Sequence, residues 1–364
     1  MLIFNTWYVA AEPHELADGP LARTILSTPV VLFRTESGHV AALEDRCPHR
    51  FVPLSLGKVV GENIQCGYHG AQFDKNGTFQ LVPGQSSVPN SCVTRFPTIQ
   101  KHGYIWIWMG EPELAKDPSS IPDFLYRGDH PDWDGGYGHF ESIQAAYGLI
   151  NDNLFDITHA EYVHPGSFGG EEMRFYRRLQ EGNDFVDQKT TFKIADRGIV
   201  FRLRSLNMEA GGPFYRWMVS THLGVEHYTG HVDLDMQVDW GAPSFTSFLL
   251  NARPSGKSME EGAQVCNMHA VTPETDRSSH YFFRSVKNYG GEELVAPFMD
   301  GVRAIFDQDR PILEAQQRNI GEKEDLNQES VAFAGDMLYR RARVINQKLA
   351  DLEREQSLQA ETEV

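Results

Sequence analysis

Short runs of apolar residues, in part alternating with polar ones and separated by turn residues, fill the first third of the chain. Such runs lie at Val30–Arg34, His39–Leu43 and Gly103–Met109, and another, Gly77–Gln80, follows a turn made of Asp, Lys and Asn. Short runs of this kind, bounded by Gly, Asn and Asp, predict strands rather than helices. The pattern therefore predicts an all-β domain over residues 1–110.

Four prolines interrupt the next stretch, Glu111–Asp132, which has neither a helical nor a strand period. Proline fixes φ and removes a backbone donor, so closely spaced prolines favour an extended connection. We expect a linker over residues 111–138 and a second domain over residues 139–364.

The second domain mixes two hydrophobic periods. Ser142–Thr158 carries apolar residues at near-helical spacing, and Val331–Leu352 predicts another helix, after which the polar tail is expected to fray. Between them the sequence returns to strand patterns separated by Gly, Pro and Asp. The domain is therefore predicted to be α+β, a sheet with helices added. The predicted strands include Phe201–Arg204, Phe245–Leu250 and His280–Arg284.

The composition, 364 residues with 41% hydrophobic and 23% charged, is typical of a globular protein of about two domains. No apolar run approaches the roughly 18 residues of a membrane-spanning helix. The start lacks the features of a secretory signal, so we expect a cytoplasmic protein without a membrane partner.

The formal net charge of −17 argues against nucleic acid as a partner, because phosphates would be repelled. Residues 1–110 contain eight basic and eight acidic residues, so the negative excess falls beyond them and supports a domain boundary there. Of the four cysteines, Cys92 and Cys266 lie outside any motif and are expected to be ordinary buried thiols.

Two cysteine and histidine pairs form the first candidate metal site. Cys47 and His49 make a C-x-H pair, and Cys66 and His69 make a C-x2-H pair after a gap of sixteen residues. Two such loops can hold one [2Fe–2S] cluster, with thiolates on one iron and neutral imidazoles on the other, which raises its potential. Zinc takes the same ligands, but zinc fingers commonly pair Cys with Cys and His with His. The mixed order therefore favours a Rieske cluster.

A second group of metal-binding residue types lies in Asn153–His164. Asp156 and His159 are spaced to share one helical face, and His164 follows about one turn later, before Pro165 ends the helix. Two histidines and a carboxylate on one side of an iron form the facial triad of non-heme Fe(II) oxygenases, which leaves positions for O₂ and substrate. Two histidines at this spacing are more often an ordinary pair, but the neighbouring cluster motif favours the metal. A carboxylate from a distant element is still needed.

These motifs resemble those of the Rieske non-heme iron oxygenases. Asp45–Arg50 and Cys66–Gly70 match the two cluster loops of the family, and Asn153–His164 matches its pattern N-x2-D-x2-H-x4-H in full. Asn5–Ala10 and the single-subunit length are similar to the vanillate O-demethylase type, including related aromatic acid monooxygenases, over nearly the whole chain. The departures are Gly67, where the family usually has Pro, and Ala71, where it usually has Trp.

The resemblance implies a terminal oxygenase subunit with a helix-grip-like catalytic domain after the Rieske domain. It also implies that Asp309 completes a mononuclear Fe(II) site with His159 and His164, although Asp307 and Glu314 lie close to Asp309 in the sequence.

Asp156 has two possible roles in a protein of this family. It could orient His159, because metal-bound histidines usually donate their other N–H to a carboxylate. It could also bridge to a cluster histidine of the neighbouring subunit, since the two metal sites of one subunit are too far apart for fast electron transfer. The second role implies a head-to-tail ring, usually a homotrimer.

The implied activity is reductive use of O₂, with electrons from NAD(P)H delivered by a separate reductase that carries flavin, ferredoxin or both. The expected reaction is O-demethylation or another monooxygenation of a small aromatic acid such as a methoxybenzoate, and relatives hydroxylate rings or methyl groups or remove N-methyl groups. His269 and Asn153 are the candidate substrate contacts, although a buried structural histidine would explain His269 equally well.

Two non-enzymatic interpretations compete with the oxygenase. A Rieske electron carrier with an unrelated second domain explains the cluster loops but leaves Asp156, His159 and His164 without a role. A zinc-stapled binding module explains the same loops and predicts a colourless protein.

Overall fold

The computed structural model describes residues 2–122, 132–165, 187–208, 213–321, 330–331, 333 and 336–362. The chain forms two compact units that do not follow a single boundary along the sequence. The first unit comprises Leu2–Ile121, Thr272–Ser278 and Leu352–Val364, and the second comprises Pro122–Val271 and Ser279–Asp351. None of the helices described is long and apolar enough to cross a membrane.

Over Leu2–Ile121 the first unit contains β-strands and short 3₁₀ turns, and its C-terminal segment is the end of a helix. The strand Thr28–Arg34 shows why its main part is a β structure. Val30 and Leu32 pack into one core, while Val31 and Phe33 pack into another, because successive side chains of a strand point to opposite faces. A strand buried on both faces therefore needs the unbroken apolar run seen in the sequence. The three sheets are β1 (Trp7–Ala11), β11 (Tyr104–Trp108) and β10 (Thr98–Lys101); β2 (Leu21–Ile25), β3 (Thr28–Arg34), β4 (Val40–Glu44) and β9 (Arg95–Phe96); and β5 (Lys58–Val60), β6 (Asn63–Gln65), β7 (Gln72–Phe73) and β8 (Phe79–Leu81).

A seven-stranded antiparallel sheet organises the second unit. Along the strand Val232–Gly241, Val232, Leu234, Met236 and Val238 enter the core, and acidic or amide residues alternate with them. This period of two gives the sheet one apolar face on which helices pack. In sheet order the strands are β12 (Asp134–Ile143), β18 (Ser279–Lys287), β17 (Ala263–Pro273), β16 (Phe245–Pro254), β15 (Val232–Gly241), β14 (Gly198–Met208) and β13 (Asp187–Ile194).

The longest helices of the second unit each carry one apolar stripe. In the helix Val295–Ile320 the buried residues recur every three or four positions, as an amphipathic helix requires. Asp309 occupies one of these buried positions, where an apolar side chain would be expected. The helices are α1 (Tyr147–Phe155), α2 (Ala160–Val163), α3 (Pro213–Leu223), α4 (Val295–Ile320) and α5 (Met337–Thr362).

The prediction of one continuous helix over Ser142–Thr158 is wrong at both ends. Residues 142 and 143 complete strand β12, which begins at Asp134 inside the predicted linker. The strand was not predicted because its first half is rich in glycine, which is uncommon in strands. Packing explains glycine at this position, since a Cβ at Gly135 would lie 1.9 Å from the carbonyl oxygen of Ser285. Close approach to β18 thus favours glycine over the usual strand residues.

The prediction of a frayed tail is also wrong, because α5 continues to Thr362. Glu353 explains the order of this end. Its two carboxylate oxygens accept hydrogen bonds from the backbone N–H groups of Phe4 and Asn5, at 2.9 and 2.7 Å. The last turns of α5 therefore satisfy donors at the start of the chain.

Candidate functional site

Two loops of the first unit bring together the four predicted cluster residues, Cys47, His49, Cys66 and His69. One loop follows β4, and the other leaves β6 directly. In each loop the cysteine N–H donates to the carbonyl five residues later, and the cysteine carbonyl accepts from the N–H four residues later, over 2.8 to 3.1 Å. The same closed turn is therefore built twice.

The fourth residue after each cysteine has a left-handed backbone, with φ of 60° at Phe51 and 74° at Gly70. Glycine adopts this region freely, whereas a bulky residue there costs about 1–3 kcal/mol. The ring of Phe51 is 62% exposed and lies 4.0 Å from the guanidinium carbon of Arg46. The first loop thus holds a strained, exposed aromatic residue at its rim.

The thiols are buried and the imidazoles are exposed. Cys47 and Cys66 are each 2% exposed, while the His49 and His69 rings lie at the surface with their centres 4.6 Å apart. Burial raises the pKa of the Cys47 thiol, and the neighbouring Cys66 thiol raises it further. The backbone hydrogen bond from His49 lowers this pKa but does not offset the two other effects. A bound metal would favour the thiolates. Inner sulfur and outer imidazole donors fit a [2Fe–2S] cluster.

The cysteines outside the cluster loops differ from each other. Cys266 is buried, as expected, but Cys92 is exposed, so the prediction that both are buried is wrong for Cys92. Cys92 follows a polar stretch of exposed residues, which explains its exposure.

Gly67 lies where another part of the chain comes close to the second loop. A Cβ at this position would meet the carbonyl oxygen of Leu56 at 2.7 Å, which a real side chain does not tolerate. The segment around Leu56 is held by Asp45, which accepts from the N–H and the hydroxyl of Ser55 at 2.7 and 2.6 Å. This close approach explains glycine at a position where the resembling family usually has proline.

The second candidate site begins where α1 ends. Asp156 leaves the helical conformation, with φ −87° and ψ 92°, and caps a 3₁₀ turn over Ile157–His159. Its Oδ1 accepts from the N–H of Thr158 at 2.8 Å and from the hydroxyl of Thr158 at 2.5 Å. The histidines therefore follow a capped break in the helix and do not extend one helical face.

His159, His164 and Asp309 converge in the second unit. Asp309 Oδ1 lies 3.5 Å from His159 Nε2 and 3.3 Å from His164 Nε2. His164 and Asp309 are buried, and one ligand atom from each of the three residues lies within 4.8 Å of the others. We call these three residues the triad.

The two other carboxylates near Asp309 in the sequence point elsewhere. Glu314 pairs with Arg310 at 3.0 Å and accepts a backbone hydrogen bond from Gln144. Asp307 is exposed on α4. Of the three candidates, only Asp309 is in contact with the histidines in the described structure.

Two neutral amides contact the triad. Asn153 donates from Nδ2 to Asp309 Oδ1 over 3.2 Å, and Gln308 Oε1 lies 2.8 Å from His164 Nδ1. Burial lowers the pKa of His164, but the hydrogen bonds to Asp309 and Gln308 outweigh it and raise this pKa overall. Sequence reasoning missed Gln308, whose only signal was its place before Asp309.

His159 differs from His164 in the hydrogen bonding of Nδ1, the ring nitrogen that faces away from Asp309. Nδ1 of His159 is buried and has no hydrogen-bond partner among the described residues. Asp156, which could have oriented this ring, contacts Thr158 instead. Two imidazole nitrogens and one carboxylate on one side of a point fit a mononuclear Fe(II) site with open positions.

An open cavity of about 900 Å³ borders the triad and is lined by Asn153, Asp156 and His159 among others. Asp152 and Arg343 form an ion pair on its wall, with Arg343 Nε 3.1 Å from Asp152 Oδ1. Burial raises the pKa of Asp152 to about 6 in spite of Arg343. The cavity next to His159 is thus lined mostly by apolar and neutral residues, with three aspartates and one arginine among them.

His269 lies in the core between the sheet and α4, at 1% exposure. Its Nδ1 is 2.8 Å from the hydroxyl of Tyr281, and its ring centre is 5.0 Å from that of Phe306 and 5.3 Å from that of Phe248. Burial lowers the pKa of His269 to about 3, so the ring is neutral. Nε2 is buried without a partner in the described part of the chain, which leaves it available to a ligand. Phe306 lies three residues before Asp309 on α4, so this core region is next to the triad.

Comparison with known families divides the chain in the same way as the two sites. Residues 6–97 match the family described as Rieske [2Fe-2S] domain, and they include all four predicted cluster residues. Residues 143–352 match the family described as Vanillate O-demethylase oxygenase C-terminal domain, and they include the triad and His269. The predicted fold class is confirmed.

Individual proteins are similar over nearly the full length. A putative toluene-4-sulfonate monooxygenase system iron-sulfur subunit from Comamonas testosteroni is 37% identical, over 89% of this chain and 91% of that protein. The oxygenase component of dicamba O-demethylase from Stenotrophomonas maltophilia is 38% identical, over 86% of this chain and 88% of that protein. A crystal structure of dicamba monooxygenase with non-heme iron and dicamba gives a TM-score of 0.77 at 32% identity, covering 98% of this chain and 99% of that chain. The two predicted iron cofactors are thereby confirmed.

Proposed function

The chain belongs to the Rieske non-heme iron monooxygenases of the vanillate O-demethylase type, and we propose that it oxidises a small aromatic acid as their terminal oxygenase. The convergence of His159, His164 and Asp309 in a chain that also contains a Rieske domain carries this proposal. An electron carrier or a zinc-stapled module would leave that convergence unexplained. The expected reaction is O-demethylation of a methoxybenzoate or a related monooxygenation.

In this proposal the protein residues hold and orient the reacting groups. Cys47, His49, Cys66 and His69 would hold the [2Fe–2S] cluster, and the triad would hold Fe(II). When bound, these groups supply single-electron transfer and reductive activation of O₂. Hydroxylation of a methoxy carbon gives a hemiacetal, which collapses to a phenol and formaldehyde.

The core region around His269 suits an aromatic substrate. Phe248, Tyr281 and Phe306 surround the imidazole and offer ring faces and edges. The free Nε2 of a neutral His269 adds one polar contact that can orient a ring substituent. The side-chain amide of Asn153 already donates a hydrogen bond to Asp309. Its role as a substrate contact therefore stays a prediction.

Hydroxylation of a methyl group is the second candidate reaction. It is favoured by the 37% identity to the toluene-4-sulfonate monooxygenase subunit, whose named substrate carries a methyl group and no methoxy group. The two reactions differ in one product, because only demethylation releases formaldehyde.

We further propose a head-to-tail homotrimer. The cluster loops expose Phe51, Leu56 and Tyr68 at 62%, 72% and 56%, beside the basic residues Arg46 and Arg50. The lining of the cavity next to His159 includes three aspartates against one arginine. Tyr162, Val331 and Phe333 of the same unit are exposed at 74%, 82% and 77%. Apolar, oppositely charged surfaces on different units support contact between neighbouring copies, with Asp156 facing a partner's cluster loop.

A separate reductase that draws on NAD(P)H would supply the electrons, as expected for an oxygenase component. The cytoplasmic location stays a prediction.

The test combines metal analysis with substrate screening. The purified protein is expected to contain three irons per chain and to consume O₂ with methoxybenzoates, releasing formaldehyde, when a reductase is supplied. His159→Ala should lose one iron and the activity, while His227→Ala, at an imidazole 84% exposed, should change neither. Cys66→Ser should lose the cluster, and Cys92→Ser should keep it. Two irons per chain and unchanged redox behaviour in His159→Ala would overturn the proposal.

A further inference from the structure

The imidazole of His164 is held from both sides by consecutive residues of one helix. Nε2 faces Asp309 Oδ1 at 3.3 Å, and Nδ1 lies 2.8 Å from Gln308 Oε1. His164 and Asp309 are 3% and 7% exposed, whereas the Gln308 side chain reaches the surface and contacts the buried ring from there. The orientation of this ring is therefore set by α4.

The chemistry of an amide oxygen decides which nitrogen of His164 carries the proton. An amide oxygen only accepts hydrogen bonds, so Nδ1 must donate to Gln308 Oε1. Without a metal, Nε2 faces Asp309 as a hydrogen-bond donor. A neutral imidazole that keeps its proton on Nδ1 has its lone pair on Nε2 and can offer it to a metal held with Asp309. His159 has no such partner within the described residues, since its Nδ1 is buried and unbonded.

We propose that Gln308 is a positioning residue that fixes the Nδ1–H tautomer of His164 and so prepares Nε2 to bind iron. This role rests on the proposed function, in which His164 is an iron ligand. Gln308 itself does not touch the metal.

The role requires an acceptor oxygen and does not depend on the charge of its side chain. Carboxylates commonly orient metal-bound histidines and increase their basicity. Here an amide does so, while the acidic neighbour Asp307 is exposed and makes no contact with His164 in the described structure. Among the described residues of the triad and the two amides that contact it, Asp309 is therefore the one that carries a negative charge.

The test measures metal binding rather than turnover. Fe(II) affinity is determined by competition with a chromogenic chelator, and the ligand field is followed by EPR of the Co(II)-loaded protein with its cluster oxidised. Gln308→Leu, which cannot accept a hydrogen bond, should weaken Fe(II) binding by about 10–100-fold and alter the Co(II) spectrum. Gln308→Glu keeps an acceptor and should restore affinity. Asp307→Asn, the matched control on the same helix, should bind as the unmutated protein does.

The outcomes separate this inference from the proposed function. Iron binding that is lost in His164→Ala but unchanged in Gln308→Leu would overturn the inference alone. Gln308→Glu binding as weakly as Gln308→Leu would also overturn it, because the amide would then act through its N–H. A protein that binds no iron beyond its cluster would overturn both. Equal thermal unfolding and unchanged Rieske EPR of the reduced cluster in all variants would show that the fold is intact.

Discussion

Asn153 donates a hydrogen bond to Asp309 over 3.2 Å and thereby ties the end of α1 to the middle of α4. The acceptor is Oδ1, the same oxygen that lies nearest to the Nε2 atoms of His159 and His164. Asp309 is a charged group at a buried position of an apolar stripe, so it needs a donor when no cation is bound. Asn153 provides that donor and restrains the carboxylate towards the histidines.

Asn153→Ala should weaken Fe(II) binding without loss of the cluster. The lost hydrogen bond has a charged acceptor, and such bonds contribute about 1.5–3 kcal/mol, which corresponds to about a tenfold or greater rise in Kd. Chelator competition measures the change, and visible absorption of the cluster serves as the internal control. Fe(II) binding equal to that of the unmutated protein would show that Asn153 does not support the triad.

Asp156→Asn should keep both metal sites but slow electron transfer to the iron. Asn caps helices about as well as Asp, so the 3₁₀ turn at Thr158 should persist while the negative charge is lost. Loss of one charge-assisted hydrogen bond to a neighbouring subunit predicts a rate lower by about tenfold or more. Single-turnover oxidation of the reduced cluster measures this rate.

Asp117→Asn is the matched control for that variant. Asp117 caps the 3₁₀ turn Pro118–Ser120 in the same way, accepting from the N–H and hydroxyl of Ser119 at 2.8 and 2.7 Å. It should leave the rate unchanged. If Asp156→Asn oxidises its cluster at the unmutated rate, the bridging role is wrong.

The spacing of Asp156, His159 and His164 identified residues that do converge with Asp309, but through different local geometry. Helical periodicity suggested one face, whereas the chain breaks at Asp156 and resumes as a 3₁₀ turn and a short helix. A motif preserves which residues meet, and capping by Asp156, which accepts from the N–H of Thr158, decides how the backbone turns. Local propensity cannot distinguish a continuous helix from a capped break of this kind.

Tertiary packing supplied what the sequence pattern lacked. Asp307, Asp309 and Glu314 could not be separated by spacing alone, because the choice depends on which face of α4 meets the sheet. The contact of Gln308 with His164 joins residues 144 positions apart, and no local signal marks a neutral amide as a partner. The strands of the first unit were easier to predict, since their apolar runs follow directly from burial on one or two faces.

His269 should make stability depend on pH below about 6.5. Its folded pKa of about 3 lies below the unfolded value of roughly 6.5, so the unfolded state takes up the proton first and stability is lost as the pH falls between these values. At pH 5 the loss relative to neutral pH is about 2 kcal/mol. His269→Gln should abolish this part of the pH dependence, whereas His227→Gln, at an exposed position, should retain it. Urea unfolding at pH 7 and pH 5 measures the difference, and identical pH dependence in His269→Gln would refute it.

Gly67→Ala should impair the cluster site although it adds only one methyl group. The new Cβ would lie 2.7 Å from the carbonyl oxygen of Leu56, and this backbone atom cannot move away as a flexible side chain could. Either the Cys66 loop or the segment held by Asp45 and Ser55 must then shift, which changes the distance between the two halves of the site. We expect lower cluster occupancy and an altered Rieske EPR signal.

Gly148→Ala is the matched control, because no atom lies within 4 Å of a Cβ added there, and alanine favours a helix by about 0.5–1 kcal/mol over glycine. If Gly67→Ala retained full occupancy and an unchanged signal, the close approach of Leu56 would not constrain this loop.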